Sequence, residues 1–116
     1  MIKLVMCLRR HPNMTRAEFQ DYWLNSHGPF FQANMHAMRA KKYVLSLTLD
    51  TPMNDAFKES RGMQPEYDGV AEVWFESEAD LGEAMSLPEG QELAAALLED
   101  EANFLDHAQC LSLIHI

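Results

Sequence analysis

Four stretches of this chain carry apolar side chains at every second position, and in three of them the positions between are apolar as well. A period of two is the signature of a β-strand. Residues 2–9 set Ile2, Leu4, Met6 and Leu8 on one side and Lys3, Val5, Cys7 and Arg9 on the other. Residues 43–49 set Tyr43, Leu45, Leu47 and Leu49 against Val44, Ser46 and Thr48, and residues 69–75 set Val73 against Trp74. Residues 109–116 form a fourth such stretch. A sheet that is apolar on both faces has to be covered on both, and one layer of helices covers only one. The pattern therefore predicts a homodimer joined sheet to sheet.

The segments between the strands read as helices. Thr15-Arg16-Ala17-Glu18 is a capping box, and Met14 and Phe19 stand where a hydrophobic staple would close over it. The helix that follows carries Phe19, Tyr22 and Trp23 on one stripe and is expected to end at Ser26-His27-Gly28-Pro29, with the glycine in a left-handed turn. Residues 30–40 suggest a second helical stretch. Residues 50–68 are polar and rich in turn formers, and are expected to form a long loop of the kind that serves as a lid or binding loop. Ser77 caps a helix through Ala79, Leu81 and Met85, and residues 89–105, rich in Ala, Leu and Glu, form another. The resulting order is β-α-β-β-α-β, an α+β, ferredoxin-like arrangement: an antiparallel four-stranded sheet with helices on one face. A chain of 116 residues supports one such domain, spanning residues 1–116.

Charge narrows the partners. A formal net charge of −9 repels phosphate backbones and anionic headgroups, so neither nucleic acid nor a membrane surface is expected. The acidic runs 76–83 and 99–106 read as solvated helix faces. The opening MIKLVMCLRR is too short for a membrane span and lacks the form of a secretory signal. Cys7 and Cys110 lack metal-ligand spacing and read as reduced thiols. These features together predict a cytoplasmic protein.

No zinc cluster, phosphate loop, dinucleotide fingerprint or nucleophile elbow is present. Nothing calls for a cofactor or a metal, and any chemistry must come from isolated polar groups, which favours proton transfer. His27, fixed beside Gly28-Pro29, is the first candidate for a general acid or base; the alternative is a structural cap at the helix end. Glu72 lies within the apolar run 70–75. It requires a buried partner or a wet cavity, or else lies at an interface where it meets Lys3 or Arg9 across neighbouring strands. Tyr43 can present its hydroxyl to a ligand or serve as a core tyrosine. Tyr22, Trp23, Phe31 and Trp74 are the expected substrate-binding aromatics, and Met35, Met38, Met53 and Met63 would suit a soft lining for a small apolar organic ligand. His11, His36, His107 and His115 read as surface or packing residues.

The run Arg10-His11-Pro12-Asn13-Met14-Thr15, followed by Phe19, Tyr22-Trp23 and Ser26-His27-Gly28-Pro29, resembles the signature of the EthD family. The stretch Glu72-Val73-Trp74-Phe75-Glu76-Ser77-Glu78 resembles that family's third strand and the helix start after it, and residues 51–67 match least. The resemblance implies a dimeric α+β barrel. It also implies a functionally mixed family, with accessory proteins of an ether-degrading oxygenase system on one side. On the other are cofactor-free enzymes that rearrange, dehydrate, decarboxylate or cyclise small cyclic or polyketide compounds. Against one isomerase relative, methylmuconolactone methylisomerase, His27 matches the catalytic histidine after the first helix, Tyr43 matches a tyrosine that opens the second strand, and Glu72 with its neighbour Trp74 has counterparts there as well. Val73 stands where that enzyme has a cysteine, so the resemblance does not extend to the same reaction. The expected function is cofactor-independent proton-transfer chemistry, of isomerase, lyase or cyclase type, on a small apolar carbonyl or lactone compound. His27 would act as acid or base, Tyr43 as hydrogen-bond donor, and Glu72 would orient the histidine. A non-catalytic ligand carrier and an oxygenase of the dimeric-barrel type are the alternatives.

Overall fold

The computed structural model describes all residues, Met1–Ile116. The strands are β1 (Ile2–Leu8), β2 (Lys42–Leu47), β3 (Gly69–Phe75) and β4 (Leu111–His115), and the helices are α1 (Arg16–Tyr22), α2 (Gly28–Asn34), α3 (Pro52–Arg61), α4 (Glu78–Ser86) and α5 (Pro88–Glu101). The strands pair antiparallel in the order β2-β3-β1-β4, which is the ferredoxin-like topology. Register places Val5 opposite Glu72 and Leu113, and Glu72 opposite Val44. It follows that Val5, Glu72, Val44 and Leu113 share one face, and Leu4, Met6, Ala71, Val73 and Tyr43 the other.

Two core clusters lie between the second of these faces and the helices. One gathers Leu8, Phe19, Trp23, Ala71, Phe104 and Leu105; the other gathers Phe31, Val73, Phe75, Leu93 and Leu97. Only 17 of 116 residues are buried, which is what a single helix layer on a single sheet provides. The opposite sheet face carries Val5, Cys7, Val44, Val70, Trp74, Leu111 and Leu113 with no helix over it. Lys3 and Lys42 lie over the Trp74 ring, with Nζ 5.0 and 5.6 Å from its centre, and the indole Nε1 is buried without a hydrogen-bond partner.

Two expectations from the sequence are corrected. The first helix does not stop at Gly28 in a left-handed turn: φ at Gly28 is −59°, and the chain runs on through a π-helical turn, Trp23–His27, into α2. Pro29 is tolerated because it falls in the first turn of α2, where its missing N–H is not needed. Residues 50–68 are not simply a loop. Thr51 caps α3 by accepting a hydrogen bond from the Met53 N–H, Pro52 begins the helix, and Gly62 at φ 62° ends it. The cap, proline and glycine were all legible. Met53, Ala56 and Phe57 also fall at helical spacing, but this stripe is exposed and no residue of α3 is buried.

Candidate functional site

Phe19, Trp23, His27 and Phe31 recur at intervals of four, and all four are buried. In a straight α-helix a four-residue step drifts about 40° around the axis, so three steps would carry Phe31 well off the face that Phe19 occupies. The wider π turn between Trp23 and His27, closed by the Gly28 N–H to the Trp23 carbonyl, takes back part of that drift. It keeps the imidazole on the sheet side. Glycine is required at two positions beside it. A Cβ on Gly28 would lie 2.7 Å from the Trp23 carbonyl oxygen and 3.3 Å from the Leu45 side chain, and one on Gly69 would lie 2.4 Å from the Trp23 ring.

These elements line a partly open cavity of about 280 Å³, bounded by 15 residues of which 13 are hydrophobic. Leu4, Met6, Ala71 and Val73 form its floor, Leu97, Leu98 and Phe104 its wall, and Trp23, Phe31 and Tyr43 its aromatic side. The two lining residues that are not hydrophobic are His27 and Glu101.

His27 Nδ1 lies 2.7 Å from Asp100 Oδ2, and the other Asp100 oxygen accepts the Tyr22 hydroxyl at 2.5 Å. Burial pushes the Asp100 carboxyl up, but the hydrogen bonds from Tyr22 and His27 outweigh it and hold the group below the usual carboxylate range. An ionised Asp100 can only accept, so Nδ1 carries the proton of the neutral ring and Nε2 is left with its lone pair. Glu101 Oε2 stands 4.0 Å from Nε2, and Oε1 of the same carboxylate is 3.1 Å from His107 Nε2. The Tyr43 hydroxyl accepts the Trp23 indole N–H at 2.8 Å. Burial pushes its pKa up to about 12, so at neutral pH it is a hydrogen-bond donor and not a phenolate. No three His, Cys, Asp or Glu side chains converge as metal ligands, and no helix is long and apolar enough to cross a membrane.

The EthD domain model matches residues 11–108. The chain belongs to the EthD family. A search of the curated proteins found no match. Among solved structures, an EthD family protein from Bacillus halodurans is 21% identical with a TM-score of 0.64, covering 100% of this chain and 97% of that one. A dimeric protein of unknown function with a ferredoxin-like fold from Bacteroides fragilis is 11% identical with a TM-score of 0.62, over 98% and 93% of the two chains. SnoaB, a cofactor-independent oxygenase from Streptomyces nogalater, is 14% identical with a TM-score of 0.53, over 99% and 90%. At these identities the likeness is one of fold.

The structure brings His27, Tyr43, Trp23 and Phe31 to this EthD-fold cavity, while Tyr22 stands behind it and holds Asp100. It does not bring Glu72 or Trp74. Both point to the uncovered sheet face, because their β3 neighbours Ala71 and Val73 point to the cavity, and Glu72 pairs with Lys3 at 2.8 Å. Glu72 therefore does not orient His27. Met35 and Met38 pack against the Phe31 cluster, whereas Met53 and Met63 are exposed, away from the lining. The carboxylates beside His27 are Asp100 and Glu101, which sequence reading assigned to a solvated acidic run. The signal that finds them is helical spacing: Leu93, Leu97 and Phe104 form the apolar stripe of this region, and positions 100 and 101 fall within it.

Proposed function

We propose that this EthD protein is a homodimer and a cofactor-independent enzyme that moves a proton on a small, largely apolar carbonyl or lactone compound. His27 Nε2 removes a proton from the carbon next to the carbonyl, and the Tyr43 hydroxyl donates a hydrogen bond to the oxygen on which charge develops. The proton returns at another carbon in an isomerisation, or leaves the substrate with a leaving group in a lyase step. The observation that carries this reading is the Asp100-held imidazole whose free nitrogen belongs to a cavity lined almost wholly by apolar side chains. Asp100 stabilises the imidazolium formed when Nε2 takes the proton, and the apolar walls strengthen that attraction by excluding water.

The uncovered sheet face supports the pairing. Its valines, Trp74, Leu111 and Leu113 form an apolar surface around the Lys3–Glu72 ion pair, and Leu111 and Leu113 are 44% and 41% exposed in the single protomer. Two such faces packed together would form the dimeric α+β barrel. Light scattering should return twice the protomer mass; a protomer mass at micromolar concentration overturns the pairing.

The chemistry is tested by incubating a panel of cyclic ketones and lactones with the protein in D₂O and following deuterium uptake at the α-carbon by NMR. Uptake that His27→Ala abolishes is the expected result. Uptake unchanged by His27→Ala refutes the assignment, and tight binding with no exchange anywhere in the panel favours a ligand carrier.

A further inference from the structure

We propose that Glu101 confines the His27 cavity to uncharged ligands, so that the compound handled there bears no carboxylate, phosphate or sulfate. The inference rests on the reading of this cavity as the ligand site, and it narrows the class of compound.

Of the fifteen residues that line the cavity, none is lysine or arginine, and the only charged lining group besides the titratable His27 is Glu101. Its side chain is 16% exposed. Its outward oxygen lies beside His107 and its other oxygen faces His27 Nε2. Asp100 adds a second carboxylate behind the imidazole, on the side away from the free nitrogen. A ligand placed with its reacting carbon at Nε2 therefore lies within a few ångströms of an ionised carboxylate, with apolar side chains on its other flanks. The negative charge of Glu101 is also felt at Tyr43 across the cavity, where it adds to burial in holding the hydroxyl protonated.

An anion entering this space meets repulsion without a compensating cation, and at 6–8 Å in a partly desolvated site that repulsion weakens binding by about tenfold or more. A neutral ligand of the same shape does not. The arrangement leaves Nε2 facing a carboxylate that favours the imidazolium formed during proton abstraction, and the same carboxylate selects against acidic substrates. Glu101 is thus a specificity-determining residue for the chemistry assigned to His27.

The test uses two probes that differ in charge and scarcely in shape, 1-naphthamide and 1-naphthoate. Binding is measured at pH 8 by calorimetry and by shifts of the His27 ring signals. The purified full-length protein should bind the amide at least about tenfold more tightly than the carboxylate, and Glu101→Gln should bring the two within about threefold. Gln retains an oxygen that can accept from His107. Glu99→Gln removes an exposed carboxylate on the same helix that does not line the cavity, and should leave the ratio unchanged. Equal affinities in the unaltered protein, or a ratio that Glu99→Gln shifts as far as Glu101→Gln, overturn the inference and leave the cavity a ligand site. Failure of both probes to bind or to move His27 overturns the ligand-site reading itself and the inference with it.

Discussion

Replacing Asp100 by asparagine tests the site without knowledge of the substrate. In the native protein Asp100 accepts from His27 Nδ1 at 2.7 Å and from the Tyr22 hydroxyl at 2.5 Å, with Asn103 Nδ2 at 3.4 Å. The Tyr22 hydroxyl has a proton to give, and it holds the amide oxygen of the variant. The amide nitrogen then faces Nδ1, and two N–H groups cannot share that space. The neutral ring responds by moving its proton to Nε2, which turns the cavity-facing nitrogen from a base into a donor. Two charge-assisted hydrogen bonds become neutral ones, at a loss of about 1–2 kcal/mol and a fall in Tm of roughly 4–8 °C. Base catalysis at Nε2 should fall by roughly 10²–10⁴-fold, the usual contribution of a positioned general base. The assay is a long-range ¹H–¹⁵N spectrum of the His27 ring at a pH where the ring is neutral, with native protein reporting Nδ1–H and the variant Nε2–H. An Nδ1–H tautomer retained in Asp100→Asn would refute the account of how the imidazole is poised, whatever the activity.

Two further outcomes follow from the packing. Gly69→Ala should lower stability by about 1–3 kcal/mol, measured by thermal or urea denaturation, because the new methyl would stand 2.4 Å from a Trp23 ring that is 1% exposed; wild-type stability would show that the indole has room to retreat. Acid should destabilise the fold through Asp68 and Asp100. Burial raises both carboxyls, but Arg10 and Arg16 around Asp68, and Tyr22 and His27 around Asp100, hold them below the usual carboxylate range. A carboxyl depressed in the folded state contributes stability above its unfolded value near pH 4 and loses it as pH falls through the folded value. Tm measured from pH 6 to pH 2 should therefore drop below about pH 4, and less steeply in Asp68→Asn; an unchanged slope would argue against the Asp68 network as a source of acid sensitivity.

The strands and their two-sided apolarity were legible because a sheet reads sequence at a period of two, and neither the register nor the strand order disturbs that reading. The first helix was legible at its start, where Thr15 and Glu18 make the capping box observed. Its end was not, because Gly28 and Pro29 are stop signals by propensity, and here tertiary packing decides. Glycine is present so that the helix can approach Leu45 and close on the Trp23 carbonyl, and proline so that α2 can begin. His27 was placed in the cavity by its neighbours in the chain. Asp100 and Glu101 lie 73 and 74 positions further on, and only the return of α5 across the sheet brings them to it. Glu72 misled for a related reason: matching a carboxylate to a strand does not fix which face it takes, and the register places it with Lys3.

The polar groups of the cavity are committed in a way that bears on mechanism. Trp23 spends its indole N–H on the Tyr43 oxygen, so the phenol, held protonated by burial, has its own proton left to give. Asp100 takes the Nδ1 proton of His27, so the ring has the Nε2 lone pair left to offer. Apart from the Glu101 carboxylate, the lining thus offers one unspent donor and one unspent acceptor among apolar walls. Breaking a C–H bond beside a carbonyl needs an acceptor for the proton and a donor for the oxygen at the same time. A cavity built only to hold an apolar molecule would gain nothing from leaving the Nε2 lone pair and the Tyr43 proton without protein partners. Tyr22 and Asp100 behind one and Trp23 behind the other fix the pair of groups that the proposed proton transfer uses.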